Sequence, residues 1–225
     1  MSKEEILELQ TKMKEMGFYN GSINGLCGTK SLSVYKEAAY KKYSISNEGN
    51  INLSIAWSAK VSKEFVERVV AMCERLKMDS NGANYMMACM AWETGETFSP
   101  KILNGAGSGA TGLIQFMPKT AIGLGTTVEE LAKMSAEDQL VYVEKHFKPF
   151  KGKLKTLADV YSTIIYPKAV GKPDDYVLFS GGTIAYRQNI GIDINKDGKC
   201  TKEEAAAKVM QKYNKGMLPQ NRRVI

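Results

Sequence analysis

The sequence predicts a mainly α-helical protein, and three observations carry that prediction. Apolar residues recur three and four positions apart through most of the chain, strand-like alternation is rare, and the composition is that of a packed globular protein, with 44% hydrophobic and 24% charged residues. A length of 225 residues fits one large domain or one domain with a small companion. Collagen-like, low-complexity and wholly disordered chains are excluded by the same numbers.

The elements follow in order. Ser2 to Met16 places Ile6, Leu9, Met13 and Met16 at helical spacing; GFYNGSINGLCG is a turn-rich loop; Lys30 to Tyr43 resumes the helical pattern, and SNEGNINLSIAWS closes a first unit. The domain boundary is placed near Ala59, giving units of 1–58 and 59–225. From a Ser62 cap, Phe65, Val66, Val69, Cys73 and Leu76 mark an amphipathic helix. Asn84 to Glu93 is a more apolar one. The Gly- and Ser-rich stretch from Ser99 to Gly112 reads as a loop or short hairpin, and helices are predicted over Thr127 to Lys133, Ala136 to Phe147 and Leu154 to Ile165.

Charge is unevenly spread. Met1 to Ser58 is net +1, Ala59 to Glu144 net −3, and Lys145 to Ile225 net +9. A basic half points to an anionic partner such as nucleic acid, an anionic membrane surface or an acidic wall polymer; a solvated basic face that aids solubility fits it equally. No nucleic-acid-binding motif is present in the sequence, so none is expected as a partner. Cys27, Cys73, Cys89 and Cys200 match neither zinc-ligand spacing nor a secreted disulfide framework and are read as free thiols. The one histidine, His146, is given no catalytic role. The longest apolar stretch, Ala83 to Trp92, is too short to span a bilayer and the start MSKEE lacks an apolar signal core, so a soluble product made in the cytoplasm is expected.

The most informative chemistry is at the end of the apolar helix. Met86, Cys89, Met90 and Glu93 stand at offsets 0, 3, 4 and 7, nearly two helical turns, so Glu93 points the way the Met and Cys side chains point. Apolar surroundings disfavour the ionised carboxyl and keep it a proton donor near neutral pH, which a glycosidic leaving oxygen requires. The same spacing also suits a helix-end glutamate turned to solvent.

The run AWETGETFSPKILNGAGSGATGLIQFMPKTA resembles the lytic transglycosylase family of the lysozyme superfamily. The residues that carry the resemblance are Glu93, Thr94 and Pro100, then Gly109, Ala110, Gly112, Leu113, Gln115, Met117 and Pro118. Later, AYRQNIG resembles the family's Ala-Tyr-Asn-x-Gly block, with Tyr186 at the tyrosine and Arg187 or Asn189 where asparagine would stand. YPKAVGKPDDYVLF and GSGATGLIQF look most like bacteriophage members, that is, endolysins. The resemblance implies a lysozyme-like α-rich domain with a short hairpin or loop region. It implies Glu93 as catalytic acid, Gln115 and Tyr186 holding the substrate and the glutamate, and Thr94, Gly112 and Leu113 on the substrate side. The implied reaction cleaves peptidoglycan between N-acetylmuramic acid and N-acetylglucosamine and leaves 1,6-anhydro ends. After Glu96 no acidic residue occurs until Glu129, which favours a one-glutamate mechanism over hydrolysis by a carboxylate pair about 5 Å or 6.5–9.5 Å apart. Glu96 is the reserve candidate. A water-using muramidase and, from another class, a non-catalytic wall-binding or virion structural module are the alternatives.

Residues Glu8 to Trp57 resemble the three-helix peptidoglycan-binding domain, through Leu9 and Gln10, Gly17, Phe18 and Tyr19, Asn24, Gly25, Gly28 and Ser31, and Gly49 with Trp57. Tyr19 and Tyr35 are the side chains expected to meet a glycan or stem peptide. The implied protein is a monomer that acts on bacterial peptidoglycan, with anionic outer-membrane or wall polymers as partners of the basic half, and that leaves the host cytoplasm through a pore made by another protein.

DINKDGKCTKEE, Asp193 to Glu204, satisfies the fixed positions of a twelve-residue EF-hand loop. Asp193, Asn195 and Asp197, the Lys199 carbonyl, Thr201 directly or through water, and bidentate Glu204 would ligate calcium, with Gly198 at the sharp turn. Cys200 stands where a branched apolar residue is usual, and no second loop pairs with it. A turn whose Asp and Asn cap the helix from Lys202 is the alternative. Catalysis needs no cofactor; calcium would be structural.

Overall fold

The structure, a computed structural model, describes Leu7, Thr11 and Lys14, which are helical, and residues 54–224 except Ala106. The expected three-helix wall-binding unit, with Tyr19, Tyr35 and Cys27, lies outside the described residues. The described chain is mainly helical, as predicted. It divides into two compact units, residues 1–53 with 224–225, and Ser54–Arg223. The boundary therefore falls before Ser54 rather than near Ala59. The reason is Trp57, fully buried in the second unit. Its indole Nε1 donates to Lys212 O at 2.9 Å, its N–H to Gly216 O at 3.1 Å, and a Cβ on Gly216 would stand 2.4 Å from the indole ring.

Helix α1 (Lys63–Arg75) starts where predicted, because Ser62 Oγ accepts from Phe65 N at 3.0 Å. Its predicted apolar face, Phe65, Val66, Val69, Cys73 and Leu76, is buried. Helix α2 (Gly82–Glu93) is different in kind, with all residues from Gly82 to Ala91 buried except Tyr85. A helix apolar on every side belongs in the middle of a domain. Gly82 permits its entry, since a Cβ there would come within 2.5 Å of Met78 Cβ.

Short helices α3 (Pro118–Gly123) and α4 (Val128–Lys133) lead to α5 (Ala136–Phe147), which has the predicted bounds and a Ser135 cap accepting from Asp138 N at 3.0 Å. Helix α6 (Leu157–Ile165) starts three residues later than Leu154, because Thr156 accepts from Asp159 N at 3.1 Å and so fixes the cap there. A hairpin of β1 (Val177–Ser180) and β2 (Lys199–Thr201), antiparallel with Ser180 opposite Lys199, encloses the short helix α7 (Ile184–Gln188). Last comes α8 (Lys202–Gly216), begun by a Thr201–Glu204 capping box.

Helices α1, α6 and α8 all pack on α2, and α8 also packs on α6. A buried ion pair joins the last two: Lys202 Nζ stands 2.7 Å from Asp159 Oδ1 with the side chains 3% and 7% exposed. Lys202 Nζ also donates to Lys172 O at 2.8 Å, and Asp159 accepts from Gly171 N at 2.8 Å. No helix among the described residues is long and apolar enough to cross a membrane. Cys73, Cys89 and Cys200 are free and buried.

Candidate active site

Glu93 is the last residue of α2, and the chain leaves the helix through a sharply bent segment. Gly95, Glu96 and Phe98 all take left-handed conformations, with φ of 58°, 72° and 51°. Fully buried Thr94 holds this turn, donating from Oγ1 to Met90 O at 2.7 Å and accepting from Phe98 N at 3.0 Å. Thr94, expected on the substrate side, is thus fully buried and uses its hydroxyl to end the helix.

The Glu93 residue is half-buried, above the fully buried Met86, Cys89 and Met90 with which the sequence aligned it. Burial pushes its carboxyl up to about 8, and a hydrogen bond from Tyr161 opposes that push. Most Glu93 carboxyls are therefore protonated at neutral pH. Tyr161, buried on α6, also accepts from Trp92 Nε1 at 3.0 Å. Burial, and then the nearby Glu93 carboxylate, keep its own hydroxyl well above the usual tyrosine range.

Tyr161 is the tyrosine the sequence reading missed. In YSTII it sits four residues after Leu157 on an apolar helix face, a position that reads as core. Tyr186, expected beside the glutamate, instead donates its hydroxyl to Asp193 Oδ2 at 2.6 Å, and that carboxylate pushes the hydroxyl up to about 12. It belongs to the 193–204 loop and not to Glu93. Glu96, the reserve acid, is also accounted for. Burial by itself would raise its carboxyl, but ion pairs to Lys212 and, at 2.6 Å, Lys215 of α8 hold it below the usual carboxylate range.

The predicted hairpin region is a compact loop closed by its main chain. Asn104 N donates to Ala110 O at 2.8 Å, Gly112 N to Ile102 O at 2.9 Å, and Phe116 N to Thr111 O at 2.7 Å. Gln115, at φ 51°, donates from Nε2 to Ile102 O and Gly112 O at 3.3 and 3.2 Å. The amide expected to hold substrate therefore braces the loop, and its Oε1 is not used by these two bonds. Gly112 and Leu113, expected on the substrate side, are buried. Gly112 is small because Gln139 lies against it: at φ 80° a Cβ would stand 2.3 Å from Gln139 Oε1. Gln139 is fully buried; its Oε1 accepts from Leu113 N at 2.6 Å, and its Nε2 donates to Leu131 O at 3.0 Å and Pro100 O at 3.1 Å. Residues 99–117 carry no carboxylate. His146 has a structural position, its Nε2 3.0 Å from Thr163 O and its ring edge-on to Phe116 and Phe147, where burial lowers its proton affinity.

The 193–204 loop has the turn its sequence predicts, with Lys196 at φ 61° and Gly198 at φ 83°. Its acidic side chains are engaged by donors of the loop itself. Asp193 accepts from Asp197 N at 3.2 Å and Gly198 N at 3.0 Å; Asn195 accepts from Asp197 N at 2.9 Å; Asp197 accepts from Lys199 N at 2.9 Å. Glu204 accepts from Ile194 N and Thr201 N at 3.0 and 2.9 Å. Among the described residues no three His, Cys, Asp or Glu side chains converge closely enough to hold a metal. The donor types suit calcium, and ligation would require the carboxylates to turn inward from these bonds.

Compared with known families and with curated proteins, the chain matches no family model and no protein at significant similarity.

Proposed function

We propose that the chain is a peptidoglycan-cleaving glycosidase of the lytic transglycosylase type, an endolysin, with Glu93 as its acid and base. The observation that carries this reading is a half-buried carboxyl raised to about 8 and hydrogen-bonded by a buried tyrosine. Such a group is protonated at neutral pH and still has a donor ready for its anion. Glu93 gives its proton to the glycosidic oxygen as the bond to the muramic C1 breaks. The resulting carboxylate, which Tyr161 stabilises, takes the proton of the same sugar's C6 hydroxyl as that oxygen bonds to C1. One proton is given and one recovered, so the 1,6-anhydro product needs no water. Two places where a second carboxylate was sought do not offer a free one, since Glu96 is ion-paired with two lysines and the 99–117 loop has no acidic residue, and this supports the reading over hydrolysis. Wall binding through residues 1–53, contact of the basic half with anionic envelope polymers, and structural calcium at 193–204 belong to the same proposal.

The test is lysis of purified peptidoglycan by wild type and Glu93→Gln, with mass spectrometry of the products. The reading expects anhydro ends, one water lighter than reducing ends, and a loss of about 10²–10⁴-fold in the variant. Reducing ends alone would make the protein a hydrolase. Undiminished lysis by Glu93→Gln would remove Glu93 from the mechanism, and no lysis by wild type would favour a binding module.

A further inference from the structure

Trp92 and Glu93 are consecutive residues of α2, and neighbours on a helix point about 100° apart. Both nonetheless meet one hydroxyl, that of Tyr161 on α6. An indole N–H is only a donor, and a phenol has one proton to give. The 3.0 Å bond from Trp92 Nε1 therefore fixes the Tyr161 oxygen as its acceptor and leaves the phenolic proton for Glu93. We propose that Trp92 is a positioning residue, whose indole N–H orients the Tyr161 hydroxyl so that its proton is delivered to the Glu93 carboxyl. The inference rests on Glu93 being the acid of the proposed reaction, but the bond pattern is testable without it.

A donor aimed at a carboxyl favours its anion. Removing the indole N–H frees the hydroxyl to rotate, so Glu93 should hold its proton more tightly and its anion should be less stable after proton transfer. The other titratable groups on packed elements do not share this work. Lys212 and Lys215 of α8 pair with Glu96, and Tyr213 lies beside Tyr85 with ring centroids 6.0 Å apart. On α6, Asp159 is held by Lys202. Cys89 of α2 and Cys73 of α1 are thiols that burial raises, and they stay neutral. The charged side chains of α1 that form ion pairs do so with Glu64, Glu67, Asp138 and Glu144.

The experiment follows the Glu93 carboxyl directly, by carbon-13 NMR of glutamate-labelled full-length protein, with Glu93→Gln identifying the resonance. Trp92→Phe keeps an aromatic ring and deletes the N–H with the rest of the pyrrole ring, so the comparison in the Tyr161→Phe background separates the lost hydrogen bond from the lost packing. It should tighten proton binding at Glu93 roughly two- to tenfold, the range of a weakened hydrogen bond. Tyr161→Phe should do so at least as much, and Trp92→Phe should add nothing in that background. In the lysis assay Trp92→Phe should lower kcat with KM unchanged and carry the alkaline limb to higher pH. An unchanged Glu93 midpoint in Trp92→Phe, or an equal shift with and without Tyr161, overturns the inference. If wild type does not cleave peptidoglycan, the functional reading fails while the titration still decides the role of Trp92.

Discussion

Glu93→Gln should stabilise the fold, and more so as pH rises. The wild-type carboxyl binds its proton with a value of about 8 in the native protein, against an ordinary 4.5. Between those values the native state keeps a proton that the unfolded chain releases, so stability falls as pH rises through the window. Linkage gives a loss of roughly 3 kcal/mol between pH 4 and 7, and roughly 5 kcal/mol by pH 9, both as upper magnitudes. Glutamine carries no such titration, has nearly the same shape and still offers an oxygen to the Tyr161 hydroxyl. Urea unfolding of both proteins from pH 4 to pH 9 isolates the effect, because every other titrating group is common to the pair and cancels in the difference. The gap in favour of Glu93→Gln should widen steadily to pH 8 and then level off. At about 2–4 °C per kcal/mol, melting temperatures should separate by several degrees at pH 7. Parallel curves would mean that the carboxyl ionises as it does in water, and the general-acid assignment would lose its physical basis.

Two further outcomes are expected. Lys202→Met should cost about 3–5 kcal/mol at pH 7, because it strands the buried Asp159 carboxylate. Burial alone would raise that carboxyl, and Lys202 with the Gly171 and Lys155 N–H groups holds it low, so the pair's contribution is present above the ordinary 3.8 and lost below it. The cost should accordingly shrink as pH falls towards 3.8, and a cost independent of pH, measured by urea unfolding, would contradict the pairing. Calcium at the 193–204 loop should raise the melting temperature by several degrees at a hundredfold excess over Kd, about 2.7 kcal/mol, with magnesium doing less and Glu204→Gln abolishing the gain. Identical melting in chelator and millimolar calcium would leave the loop a hydrogen-bonded turn.

What the sequence made legible follows from which forces are local. Caps at Ser62 and Ser135 act within three residues, and the helices they open begin where the sequence puts them. The burial of Glu93 was readable from its Met and Cys companions at helical spacing. The place of Tyr161 beside Glu93 was not, because its partner stands 68 positions earlier in the chain. A tyrosine on an apolar face is equally a core residue until that partner is known. Tyr186 misled for the opposite reason, since its motif spacing is local but its hydroxyl partner, Asp193, belongs to a different loop chemistry. Trp57 was assigned to the wrong unit because its indole bonds to Lys212, at the far end of the chain.

Gln139 grips its surroundings through main-chain atoms alone: one amide side chain meets Leu113 N, Leu131 O and Pro100 O. Main-chain atoms are the same whatever side chains their residues carry. The 99–117 loop is thus anchored by features that mutation of Leu103 or Lys101 does not erase. Leu103, 68% exposed, and the exposed Lys101 can therefore change chemistry without removing these bonds. The fold separates holding the loop from decorating it. That division lets the exposed face of the loop vary, or be engineered, while its frame stays in place.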